Sequence, residues 1–238
     1  MEWFANPKTG TLVPFNFRSH TATGPELKRF ECRLDTIAFT PLIDSSEVTI
    51  ETWIRLAGII EENYSSYDGF VILHGTDTMA YTASALSFLL CNLDKPVILT
   101  GSQLPIGMLR TDGKENLITS IEIAASSIYG KPAVPEVSVY FENRLFRGNR
   151  TTKLSSEHFN AFDSPNYPPL AEAGIDIKYN HNAILYPTVR RDLKVFKKLS
   201  GQVAILKIFP GITINTVRSI LSAPDLRGVV LESYGAGN

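Results

Sequence analysis

Four apolar residues, Phe70 to Leu73, run directly into a polar, glycine-containing turn, His74 to Thr78, from which an amphipathic segment departs. A strand, a tight turn and a helix in that order leave few architectures open. The pattern recurs. Val97 to Thr100 follows the helical spacing of Met79, Thr82, Ala83, Leu86 and Leu90, and Val137 to Phe141 follows that of Leu117, Ile118, Ile121 and Ala125. Strands alternating with helices of ten or more residues require a mainly parallel sheet covered on both faces, because each parallel return needs a crossover helix. The predicted class is therefore α/β, with a mainly parallel open sheet, helices on both faces and the start of a smaller second α/β domain. In such sheets the turns at the carboxyl ends of the strands form the ligand-binding edge.

The remaining segments fill in that plan. Thr36 to Phe39 reads as a brief β run, and a helix capped by Thr49 presents Trp53, Leu56, Ala57 and Ile60 on one face. Asp112 with Glu115 resembles a capping box opening a helix that extends to Ile128. Glu142 to Lys153 reads as a polar loop, and Ser155 to Tyr186 as an irregular excursion and linker. Val203 to Ile208, a helix from Thr213 to Leu221, and Val229 to Leu231 form a further βαβ unit. The expected division is a domain over 1–190, a linker over 191–201 and the beginning of a second domain over 202–238.

With 238 residues, 44% of them hydrophobic, the chain can bury a substantial core. A net charge of -1 gives no basic field for nucleic acid, so small molecules are the expected partners. Only Cys32 and Cys91 are present, which excludes a disulfide framework and points to a reducing, cytoplasmic setting. No apolar run reaches membrane-spanning length, and MEWFANPKTG has neither the basic nor the apolar region of a signal peptide.

Three polar groups fall on separate loops at the ligand-binding edge: Asp44, Ser45 and Ser46; Thr76 and Asp77; and Lys153. A hydroxyl, a carboxylate and an amine can together activate a nucleophile. They can equally bind a zwitterion, with Asp77 facing an ammonium and the Ser45, Ser46 turn donating to a carboxylate. The plainer readings stay open beside these. Asp and Thr cap helices, and a lone lysine is commonly solvated. His74 lacks partners at ligand spacing and reads as structural; no metal is expected. The glycines of GSQLPIG form no phosphate fingerprint. Arg110 and the cluster from Arg144 to Arg150 read as solvated loop charges or ion pairs before an anion site.

The segments HGTDTMAYTASALSF, KPVILTGSQLPIGMLRTDGKENL, RGNRTTK and YGAGN together resemble the bacterial-type asparaginases, in their type I, cytoplasmic branch. The likeness covers essentially the whole chain. It implies cofactor-free hydrolysis of L-asparagine to L-aspartate and ammonia through a threonine acyl-enzyme, by a homo-oligomer. Thr76, Asp77 and Lys153 match the family's second threonine, its aspartate and its lysine. The implied roles are a hydroxyl supporting acyl transfer, an anchor for the substrate ammonium, and a base or proton relay. Asp44, Ser45 and Ser46 match the substrate-binding turn, with Ser45 holding the α-carboxylate.

One departure accompanies the resemblance. The family's first strand and its TGGTI motif, source of the primary nucleophile, would precede NPKTGTLVPF and are not in this sequence, and the position of a substrate-covering tyrosine falls at Leu12. The second domain stops after one strand, helix and strand. The expectation is an incomplete piece of an active enzyme. Two other readings remain: the amidase subunit of a tRNA-dependent transamidation complex, and a non-catalytic amino acid-binding protein.

Overall fold

The computed structural model describes residues 32–105, 108–189 and 191–237, together with the backbone of an antiparallel pair, Trp3–Ala5 with Leu12–Pro14. It divides into two compact units, Met1–Lys197 and Lys198–Asn238.

The first unit is built on a six-stranded sheet. Its strands are β1 (Phe70–Leu73), β2 (Val97–Thr100), β3 (Val137–Phe141), β4 (Arg144–Arg147), β5 (Ala171–Ala173) and β6 (Ile177–Tyr179), and they lie side by side in that order. β1, β2 and β3 are parallel, whereas β4, β5 and β6 add on antiparallel. Helices α1 (Ile50–Asn63), α2 (Met79–Leu89) and α3 (Gly113–Ala125) supply the layers.

Side-chain alternation along the strands divides the core in two. Val97 and Leu99 of β2, with Val137, Val139 and Phe141 of β3, pack against Ala57, Ile60, Met79, Ala83 and Leu86 of α1 and α2. Ile98 and Tyr140 point the other way, into a cluster with Ile123 of α3 and with Leu145, Leu170 and Ala171. Both faces are covered, which is why these strands read as unbroken apolar runs.

Several elements differ from the sequence expectation. Thr36 to Phe39 forms no strand, since no described strand lies beside it to complete a ladder. The supposed polar loop after Phe141 contains β4, whose Leu145 and Phe146 are buried between two exposed or half-buried arginines. The supposed linker contains β5 and β6, strands of three residues each. α3 ends at Ala125 instead of Ile128, because Tyr129 and Gly130, at φ 52° and 75°, make a tight turn pairing Ser127–Ile128 with Lys131–Pro132.

β1 lies at the edge of the sheet. Its inner side pairs with β2 through Phe70–Val97 to Leu73–Thr100. No described strand takes its outer side. A groove of about 2100 Å³ runs along that side, lined among others by Leu56, Ile60, Val71, Leu117 and Ile121, and it reaches Ser45 and His74 at the carboxyl end of the strand.

The second unit, taken by itself, is a single βαβ turn. β7 (Val203–Lys207) and β8 (Gly228–Glu232) are parallel, and α4 (Ile214–Leu221) connects them. The Thr213 side chain caps α4 by accepting from the Thr216 N–H at 3.2 Å.

The excursion that carries β5 and β6 is clipped to the sheet by charge. Arg147 donates to Glu136 from Nε at 2.6 Å and from Nη2 at 3.0 Å, and Nη2 also donates to the Ala183 carbonyl at 2.9 Å. Glu136 Oε1 accepts in addition from the Leu185 N–H at 2.6 Å. The guanidinium stacks over Tyr167. Removing one partner of a buried pair strands the other charge. Arg147→Met is therefore expected to lower the unfolding free energy by about 3 kcal/mol in urea titrations.

Candidate active site

The turn after β1 is held by one buried histidine. His74 Nδ1 lies 2.7 Å from the Gly75 carbonyl and Nε2 lies 2.9 Å from Thr82 Oγ1, which also accepts from Trp53 Nε1 at 2.9 Å. A carbonyl can only accept, so Nδ1 carries the proton. The Thr82 hydroxyl therefore donates to Nε2 while receiving from the indole. Trp53 on α1, Thr82 on α2 and the turn are thereby fixed together. Both ring nitrogens are engaged, which makes His74 a structural residue.

A second latch joins this turn to the one before α1. Asp44 starts a short 3₁₀ turn, Ser45–Glu47, and its carboxylate accepts from Ser46 N at 2.9 Å and Ser46 Oγ at 2.8 Å. The backbone hydrogen bond from Ser46, followed by the hydroxyl, holds the Asp44 carboxyl below its ordinary range. Ser45 is buried, and its carbonyl accepts from Thr78 Oγ1 at 2.6 Å. Asp44 and Ser46 engage each other. It is Ser45, through its backbone, that touches the Thr76–Thr78 turn. Nothing in the spacing marks Thr78 for this task.

Lys153 completes the constellation. It lies on a two-residue strand, Thr152–Lys153, paired antiparallel with Phe162–Asp163. Its ammonium donates to Thr76 Oγ1 at 2.8 Å and to Asp77 Oδ1 at 2.7 Å. The lysine side chain is 15% exposed and that of Asp77 is 63% exposed, so the pair has one shielded end and one open to solvent. Thr76, Asp77 and Lys153 thus meet, although they come from loops more than 75 positions apart.

Two glycines let these loops close up. A Cβ on Gly148 would come within about 3 Å of Ser87 Oγ and of the Ala83 and Val137 carbonyls, which fixes the segment leading to Lys153 against α2. A Cβ on Gly101 would strike the His74 carbonyl. Neither glycine stands out in a phosphate-loop search, since what each provides is room for neighbouring backbone.

The N-terminal asparaginase family model matches residues 4–185. The chain belongs to the asparaginase family. L-asparaginase 1 of Escherichia coli strain K12 is 49% identical over 227 residues, which are 95% of this chain and 65% of that protein. A 60 kDa lysophospholipase of Mus musculus is 48% identical over 198 residues, 83% of this chain and 34% of its own length. Among solved structures, L-asparaginase I from Vibrio cholerae superposes with a TM-score of 0.85 at 44% identity, covering 95% of this chain and 68% of that one. The α/β fold is that of these relatives. The chain spans about two thirds of the bacterial proteins and about one third of the mouse protein. Among the described residues no helix is long and apolar enough to cross a membrane.

The asparaginase turn carries its own acid sensitivity. Burial pushes the His74 imidazole from its ordinary 6.5 down to about 4, so the folded protein keeps it neutral. The unfolded chain binds that proton at higher pH than the folded one. Its contribution is complete above pH 6.5, falls as pH drops towards 4, and changes no further below that. The expected loss is roughly 3 kcal/mol across this window. Denaturant titrations at pH 7 and pH 4 should show it, and His74→Asn should remove that part of the difference.

Proposed function

We propose that this protein hydrolyses L-asparagine to L-aspartate and ammonia, with Thr76, Asp77 and Lys153 in its catalytic apparatus. The observation that carries this reading is the Lys153 ammonium placed 2.8 Å from a threonine hydroxyl and 2.7 Å from a carboxylate at the carboxyl edge of the sheet. A lysine so placed can relay its proton onward and then take the threonine proton, while the carboxylate keeps the amine in position. Asp77 Oδ1 is occupied by Lys153. The exposure of its side chain leaves the second oxygen for a substrate ammonium. Ser45, latched to Thr78, is the candidate for the α-carboxylate.

In this reading a threonine hydroxyl adds to the side-chain amide, the C–N bond breaks and ammonia leaves with the relayed proton. Water then adds to the acyl-threonine, releasing L-aspartate and restoring the hydroxyl. No cofactor takes part. The primary nucleophile would come from the strand that the family resemblance implies, and the groove beside β1 is where that strand would pair. Its apolar walls and its end at Ser45 and His74 support that placement. The working protein would be a cytoplasmic homo-oligomer. Exposed Tyr81 and Phe88 on α2 are apolar surface that assembly would cover.

Ammonia release from L-asparagine should be measured for the 238-residue chain and for the protein extended by the codons upstream of Met1. The extended protein is expected to turn over L-asparagine. Lys153→Met and Thr76→Ala should each reduce its kcat by about a hundredfold to ten-thousandfold, the range of a lost proton-transfer group. Binding of asparagine without turnover would establish the amino acid-binding alternative. Ammonia release only in the presence of a charged tRNA and a partner subunit would establish the transamidation alternative.

A further inference from the structure

The two described ends of the segment after β2, residues 101–105 and 108–112, are tied to each other and to α3 by side-chain hydrogen bonds. Asp112, at the start of α3, makes no capping bond to its own helix. Its carboxylate reaches back to accept from Gln103 N at 3.0 Å, with both oxygens, and from Leu104 N at 3.2 Å. The capping box expected from Asp112 and Glu115 therefore does not form as read; Asp112 serves the preceding loop instead. Asn116, buried one turn along, donates to Asp112 Oδ2 at 3.2 Å and to the Gly101 carbonyl at 2.9 Å, and accepts from Glu142 N at 2.9 Å. Thr111 Oγ1 donates to the Leu104 carbonyl at 3.0 Å.

The product of this bracing is one side chain held in place. The Gln103 amide points across to the Lys153 loop, where Nε2 donates to the His158 carbonyl at 3.1 Å and lies 3.5 Å from the Ser155 carbonyl. Within that loop, the Leu154 and Ser155 N–H groups donate to the Ala161 carbonyl, and the Glu157 and His158 N–H groups donate to Ser155 Oγ, each at 3.1 Å. Lys153 is held through its backbone by the pairing with Phe162 at the mouth of that loop, and through its ammonium by Thr76 and Asp77.

We propose that Gln103 is a positioning residue: its amide, aimed by Asp112 and Asn116, fixes the loop that sets Lys153 against Thr76. As a catalytic statement this rests on the asparaginase reading above; as a structural one it does not. Gln103 touches neither Thr76 nor Lys153, so removing it should leave substrate binding largely intact and misplace the amine. A small misplacement of a reacting group is costly, on the order of tenfold to a hundredfold in rate.

The test uses the protein with Gln103→Ala and with Gln103→Glu, which keeps the size but removes the amide donor. Leu109→Ala, a fully exposed position in the same loop, is the control. Amide hydrogen exchange at Leu154 and Ser155 is expected to be at least tenfold faster than in the wild type in both Gln103 variants, and unchanged in the control. Steady-state kinetics on L-asparagine should show kcat reduced by the factor above with KM within threefold. Unchanged exchange at Leu154 and Ser155 would overturn the proposal, as would a loss confined to KM. A wild-type protein that releases no ammonia from L-asparagine would sink the functional reading, and the exchange data would still decide the role of Gln103.

Discussion

Three parallel strands buried on both faces dictate where everything else can go. Parallel pairing forbids short hairpins, so β1 and β2 must each hand the chain to a crossover helix that returns it to the opposite end of the next strand. All the outgoing turns therefore collect along one edge. Lys153 joins them by a different route: β4 turns back antiparallel from β3, and the chain then crosses to a two-residue strand beside α2. The Thr76, Asp77 and Lys153 contacts depend on this geometry, which places polar loops where helix layers and sheet leave an open rim.

The parts of the fold that could be read in the sequence are those where burial is complete. Val97 to Thr100 and Val137 to Phe141 have no exposed residue, so their composition alone marks them as interior strands. β4 leaves no strand signature because arginines flank its buried Leu145 and Phe146, and a pattern of charge, apolar pair, charge does not alternate. β5 and β6 are too short for any period to show. Their place in the sheet is secured by Arg147, Glu136 and backbone donors that no local window connects.

The same distinction runs through the candidate site. Thr76, Asp77, Lys153 and the Asp44 to Ser46 turn could be listed because their side chains have recognisable chemistry and their loops share an edge. The residues that hold those loops together were not legible. Thr78 acts on a carbonyl 33 positions away, and Gly101 and Gly148 act by having no side chain at all. Asp112 was readable as a helix start, but the direction its carboxylate takes is decided by a loop whose shape depends on Asn116 and the turn at Glu142. Contacts of side chain to distant backbone leave no spacing signature.

The hydrogen bond from the Trp53 indole to Thr82 has a practical consequence. The chain has only two tryptophans, and this one is wired through a single hydroxyl to the imidazole that shapes the Thr76 turn. Its emission is thus a built-in optical gauge. A loosening of the turn that breaks this hydrogen bond would change the surroundings of that indole, and tryptophan emission would read it without a label.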